Sequence, residues 1–121
     1  MGITYARGSI TGKSENREYD FLVDTGATWV GIPQDDIDAL GLDTVPNASA
    51  ALMTADGKVM HTPIYVGIGM LEGMGFVNGV VPAAVPLVGY NLLQDLGFKV
   101  DLVNERIEPR PEGEISPPFL L

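Results

Sequence analysis

Apolar residues along this chain come in short alternating or continuous runs broken by turn residues, a pattern of strands rather than of long helices. Residues 3–12 and 18–24 read as two strands separated by the polar segment Lys13-Ser14-Glu15-Asn16-Arg17, which predicts a hairpin. Residues 33–41 open on Pro33, carry acids in the first turn and end on Gly41, as a short helix should. A second hairpin is predicted over 51–62, with Asp56-Gly57 as a two-residue type I′ turn. Further strands are expected at 63–70, 75–81 and 84–88. Asn91–Gly97 reads as a short helix with Asn91 as its cap, Leu92, Leu93 and Leu96 as its apolar face and Gly97 at the left-handed end. Phe98–Leu102 alternates, and Asn104-Glu105 turns it back into Arg106-Ile107-Glu108. This pattern predicts an all-β domain over residues 1–109 with one or two short helices. Residues 110–121, rich in proline, read as a tail: a strand of an assembly, an autoinhibitory segment or disorder.

Composition narrows the field of partners. The 121 residues suit one domain, and 15 Gly with 9 Pro would break most long helices. Sixteen acidic against seven basic side chains give a net charge of −9, which repels phosphate backbones and anionic lipid, so neither a nucleic acid nor a membrane is expected as a partner. There is no cysteine, no long apolar run and no signal-peptide pattern at the start, and a cytoplasmic location is the expectation. His61 is the single histidine, so no histidine cluster or Ser-His-Asp triad can form within one chain. Asp35, Asp36 and Asp38 read as helix-start acids, and neither a metal nor a cofactor is expected. Residues 7–14 lack the leading glycine of a phosphate loop, and no helix pattern follows Gly67–Gly73 as a dinucleotide site would need. Trp29 reads as core or interface packing ahead of a substrate contact, and Asp101 as solvent-facing or ion-paired.

The informative segment is Phe21-Leu22-Val23-Asp24-Thr25-Gly26-Ala27, where a continuous apolar strand ends in an acid, a hydroxyl and a glycine. A carboxylate at the end of a buried strand is costly unless paired, hydrogen-bonded or used. Gly26 has no Cβ to block close backbone approach and leaves N–H groups free to face that carboxylate. The layout suits an acid that activates water.

These residues resemble the active-site strand of retropepsin-like aspartic proteases: two apolar residues, Asp-Thr-Gly, then alanine. Leu87-Val88-Gly89-Tyr90-Asn91-Leu92-Leu93 is similar to the family's second element, an apolar pair followed by glycine and a short helix, and the 51–62 hairpin lies between the two where the family has its flap. Tyr90 stands where many retroviral members have arginine, and Thr28 where they often have aspartate. The resemblance implies a barrel-like lobe assembled as a two-fold homodimer, because the chemistry uses two carboxylates sharing a proton and this chain has one Asp-Thr-Gly. Asp24 would be catalytic and meet its twin across the axis. Thr25 would link the two active-site loops, Gly26 and Ala27 would contact a peptide or protein substrate, the tip Ala55-Asp56-Gly57 would close over it, and Val85 and Leu87 would line apolar pockets. The implied activity is aspartic endopeptidase; the alternative is a catalytically silent homodimeric peptide-binding or scaffolding module of the same fold.

Overall fold

Tyr5–Thr11 (β1) and Asn16–Val23 (β2) form the first hairpin, in register from Tyr5↔Leu22 to Thr11↔Asn16. The structure, a computed structural model, describes residues 3–54 and 56–110. Ile10 and Phe21 from the two strands are wholly buried, and burial of a side chain such as Phe21 contributes about 1.5–3 kcal/mol. The chain continues through Val30–Ile32 (β3), Gln34–Leu40 (α1), Thr44–Met53 (β4), Val59–Leu71 (β5) and Met74–Pro82 (β6). Leu87–Val88 (β7), Tyr90–Leu96 (α2), Phe98–Asp101 (β8) and Arg106–Pro109 (β9) complete it.

Six strands close a ring in the order β1-β2-β7-β3-β6-β5, with β5 returning to β1 through Gly8↔Leu71 to Thr11↔Ile68. Closure pairs the strand edges that an open sheet would leave bare. β4 stands outside the ring, paired among the described residues to β5 alone, and β8 with β9 forms a separate two-stranded ribbon. The core fills the ring with Ile10, Phe21, Ile32, Leu71, Val80 and Val88, and α2 adds Leu92 and Leu93. A smaller cluster of Ala50, Ile64 and Val81 packs with Trp29 and Leu52 at the root of the β4–β5 hairpin. The all-β reading with two short helices holds; α1 is tied to β2 by Asp36, which accepts hydrogen bonds from Tyr19 Oη (2.9 Å) and Arg17 (2.8 Å).

One element was not anticipated and three local expectations are corrected. β3 is three fully buried residues with a central glycine, too short and too uniform to show an alternation. β4 begins at Thr44, well before residue 51; a register shift between Thr44 and Ser49, with Asn47 at φ 58°, absorbs Pro46. The expected strand over 84–88 shrinks to Leu87–Val88, since Pro86 has no N–H to give a ladder. Helix α2 starts at Tyr90 and Gly89 precedes it, so Asn91 is not its cap: the N–H groups of Tyr90 and Asn91 instead donate to the carbonyls of Ala27 (2.7 Å) and Thr28 (3.3 Å).

Candidate active site

Asp24 lies where β2 runs out beside β7. Its N–H donates to the carbonyl of Val88 at 3.0 Å, and Leu22 donates to Pro86 at 2.9 Å, so the parallel pairing Leu22↔Leu87 and Val23↔Val88 sets the strand end. The chain then turns tightly: Ala27 N–H donates to the Asp24 carbonyl at 3.1 Å, and Gly26 N–H donates to Asp24 Oδ1 at 3.1 Å. The loop is held from behind by the start of α2 through Ala27 and Thr28. This contact needs Gly89, because a Cβ there would stand 2.5 Å from the Ala27 carbonyl oxygen and 2.7 Å from that of Trp29. Two loops far apart in sequence thus lock one carboxylate in place.

Two depressions meet at Asp24. A groove of about 580 Å³ runs past Asp24, Gly26, Ala27 and Trp29, with Leu52 and Met53 of β4 on one wall and Val81, Ala83 and Leu87 on another. A second recess of about 350 Å³ is lined by Ile3, Thr4, Leu22, Val23, Asp24, Thr25, Val100 and Leu102. Among the described residues Asp24 is the one ionisable residue lining either. It is half-buried, and the bond from Gly26 is the one hydrogen bond its carboxylate makes among the described residues. A carboxylate so placed has acceptor capacity left for a water or for a second acid.

The residues anticipated from sequence do not all converge. Asp24, Gly26, Ala27 and Leu87 line the groove, while Thr25 lines the recess on the other side of the carboxylate. Asp56 and Gly57 sit at the exposed tip of the β4–β5 hairpin and do not line the groove; Ala55 lies outside the described residues. The tip is not a two-residue turn: Met53↔Val59 is the last strand pair, and Thr54 N–H donates to the Lys58 carbonyl at 2.8 Å around it. Asp56 organises the tip by accepting the Thr54 hydroxyl and the Lys58 N–H, and these bonds hold its carboxyl below the usual carboxylate range. Val85 is half exposed and lines neither depression, because its two-proline neighbourhood ends the strand before it reaches the groove. Trp29 does both things open to it. Its ring lies against Gly79, where a Cβ would come within 2.8 Å, and it also lines the groove. Asp101 is ion-paired rather than solvent-facing: it is buried, Arg106 Nε stands 3.9 Å from Oδ2, and its oxygens also accept from the N–H groups of Val103 (3.0 Å) and Asn104 (3.1 Å) and from Asn104 Nδ2 (2.7 Å). Among the described residues no group of three or more His, Cys, Asp or Glu could hold a metal ion. Nor is any helix there long and apolar enough to cross a membrane.

A closed six-stranded β lobe, with an Asp-Thr-Gly loop braced by a glycine-led helix, has the architecture of a retropepsin-like aspartic protease lobe. Residues 10–94, more than half of the chain, match the model of the family described as "gag-polyprotein putative aspartyl protease", and the chain belongs to that family. No curated protein matches it.

Proposed function

We propose that the protein is an aspartic endopeptidase whose reacting pair is Asp24 from each of two identical copies. One observation carries this: the family's chemistry needs two carboxylates, and among the described residues lining the two depressions at Asp24 no other acid is present. In the dimer one Asp24 takes a proton from water, whose oxygen adds to the scissile carbonyl carbon, while the other, protonated, donates to the carbonyl oxygen. The amide nitrogen is then protonated as the C–N bond breaks. Gly26 N–H holds Asp24 Oδ1 during this, and a peptide lies extended in the groove with apolar side chains toward Leu52, Val81 and Leu87. The lack of cysteine is in keeping with a cytoplasmic setting.

Mixing wild-type chains with Asp24→Asn chains at constant total concentration, after subunit exchange, tests the reading. If the pair is shared, an equal mixture cleaves an unfolded apolar-rich substrate at about one quarter of the wild-type rate, because activity follows the square of the wild-type fraction. A rate of about one half means each chain works alone and removes the proposal.

A further inference from the structure

Sulfur sits in an unusual place in this chain. With no cysteine, methionine carries all of its sulfur chemistry, and methionine is ordinarily among the more buried residue types. Yet the four methionines of the described residues are all exposed: Met53 at 77%, Met70 at 43%, Met60 and Met74 at 41%. Three of them stand away from the candidate site. Met70 and Met74 lie toward the turn of the β5–β6 hairpin, paired with Gly75 and Leu71, and Met60 faces Leu52 across the β4–β5 ladder without lining either depression at Asp24.

Met53 differs from them in position. It is the last residue of β4, paired with Val59, and with Leu52 it walls the groove that holds Asp24 and Trp29. Its side chain is thus open to solvent and at the same time part of an apolar wall. A thioether there is flexible and apolar, so it can follow differing side chains laid in the groove. Gaining one oxygen makes it polar, and a sulfoxide oxygen pressed against an apolar side chain with no donor facing it is costly.

We infer that Met53 is an oxidation site through which a hydroperoxide controls what the groove holds. A sulfur lone pair attacks one peroxide oxygen and the O–O bond breaks. That oxygen stays on sulfur, and its proton passes to the departing hydroxide, which leaves as water. Sulfur gives up an electron pair and the peroxide takes it; a thiol-dependent sulfoxide reductase reverses the change. The inference rests on the groove being the peptide site of the reading above and goes beyond it by giving that site a modification. Oxidation weakens the hold on a peptide and leaves the carboxylate in place, since Asp24 is fixed by Gly26 and Val88 rather than by β4.

The single tryptophan reads the groove directly, because Trp29 lines it. In an Asp24→Asn background, where a leucine- and phenylalanine-rich peptide is held but not cut, binding is titrated by Trp29 fluorescence before and after hydrogen peroxide, and peptide mass mapping scores each methionine. Full oxidation of Met53 should raise the peptide's dissociation constant by about tenfold. Adding Met53→Leu should abolish that change, each chain being compared with itself, whereas adding Met60→Leu, Met70→Leu and Met74→Leu together should leave it whole. A constant that does not move once Met53 is oxidised, or one that moves as far in the Met53→Leu chain, overturns the inference and leaves the peptidase reading standing. Peroxide-sensitive binding beside a wild type that never cleaves removes the peptidase reading and keeps this one. If no chain binds the peptide, both fall.

Discussion

Asp24 and Asp101 are both aspartates where a strand ends and the chain reverses, yet the structure uses them in opposite ways. The Asp101 carboxylate is consumed by its own turn, with two backbone N–H groups and one side-chain amide bonded to it. Asp24 has one such bond, from Gly26, and opens on two depressions. The lesson is one of acceptor capacity: an acid satisfied by its own loop builds shape, whereas one that the loop holds but does not satisfy is free for chemistry. Gly26 and Gly89 make this difference, the first by supplying a single donor and the second by letting α2 brace the loop without filling the space in front of it.

The same substitution at the two positions should therefore give opposite phenotypes. Asp24→Asn can still accept from Gly26, so folding and assembly should be unchanged while cleavage falls by at least about a thousandfold, read as kcat on an unfolded substrate. Asp101→Asn turns an amide toward the Asn104 amide, donor against donor, and should lower the melting temperature while leaving kcat near wild type in the folded protein. A large kcat loss in Asp101→Asn at a temperature where it is folded would break the contrast. Gly89→Ala comes next: its Cβ meets the Ala27 carbonyl, and about 1–3 kcal/mol of stability should be lost along with most activity, as thermal melts and rates would show.

Legibility from sequence followed the range of the physics involved. The Asp24 loop, the first hairpin and both helix ends are local, written in Asp-Thr-Gly, in alternation and in Gly41 and Gly97, each left-handed in the structure. β3 was hidden because three buried residues carry no period, and the first half of β4 because Pro46 and Asn47 read as a break where the strand only bulges. Groove residues Val81 and Ala83 arrive through the parallel pairing of β3 with β6, which no neighbouring residue announces. Trp29 packs and also lines the groove, because Gly79 makes room for its ring. Asp101 is ion-paired with Arg106 as expected, but its closest partners are mostly backbone N–H groups, which every sequence contains, so its burial is not legible.

Activity against pH sharpens the comparison further. Two carboxylates sharing a proton work only while singly protonated, and free carboxylates titrate near 4, so cleavage should be fastest below neutrality; a rate still flat at pH 8 would count against a shared pair.

The smallest effect is on stability, and it belongs to Asp101 alone. The Asn104 side chain first, then the N–H of Asn104 and of Val103, with Arg106 contributing last, hold its carboxyl below the ordinary carboxylate range. A group whose folded value is depressed stabilises the native state above its unfolded value of about 4, and that stabilisation is lost as pH falls through the folded value. The difference in melting temperature between wild type and Asp101→Asn should accordingly be constant from pH 7 to about 5 and shrink below about 4, since the other acids titrate alike in both chains and cancel. A difference that instead grows toward acid would mean that the turn prefers the protonated form, and Asp101 would then stand nearer to Asp24 than its hydrogen bonds imply.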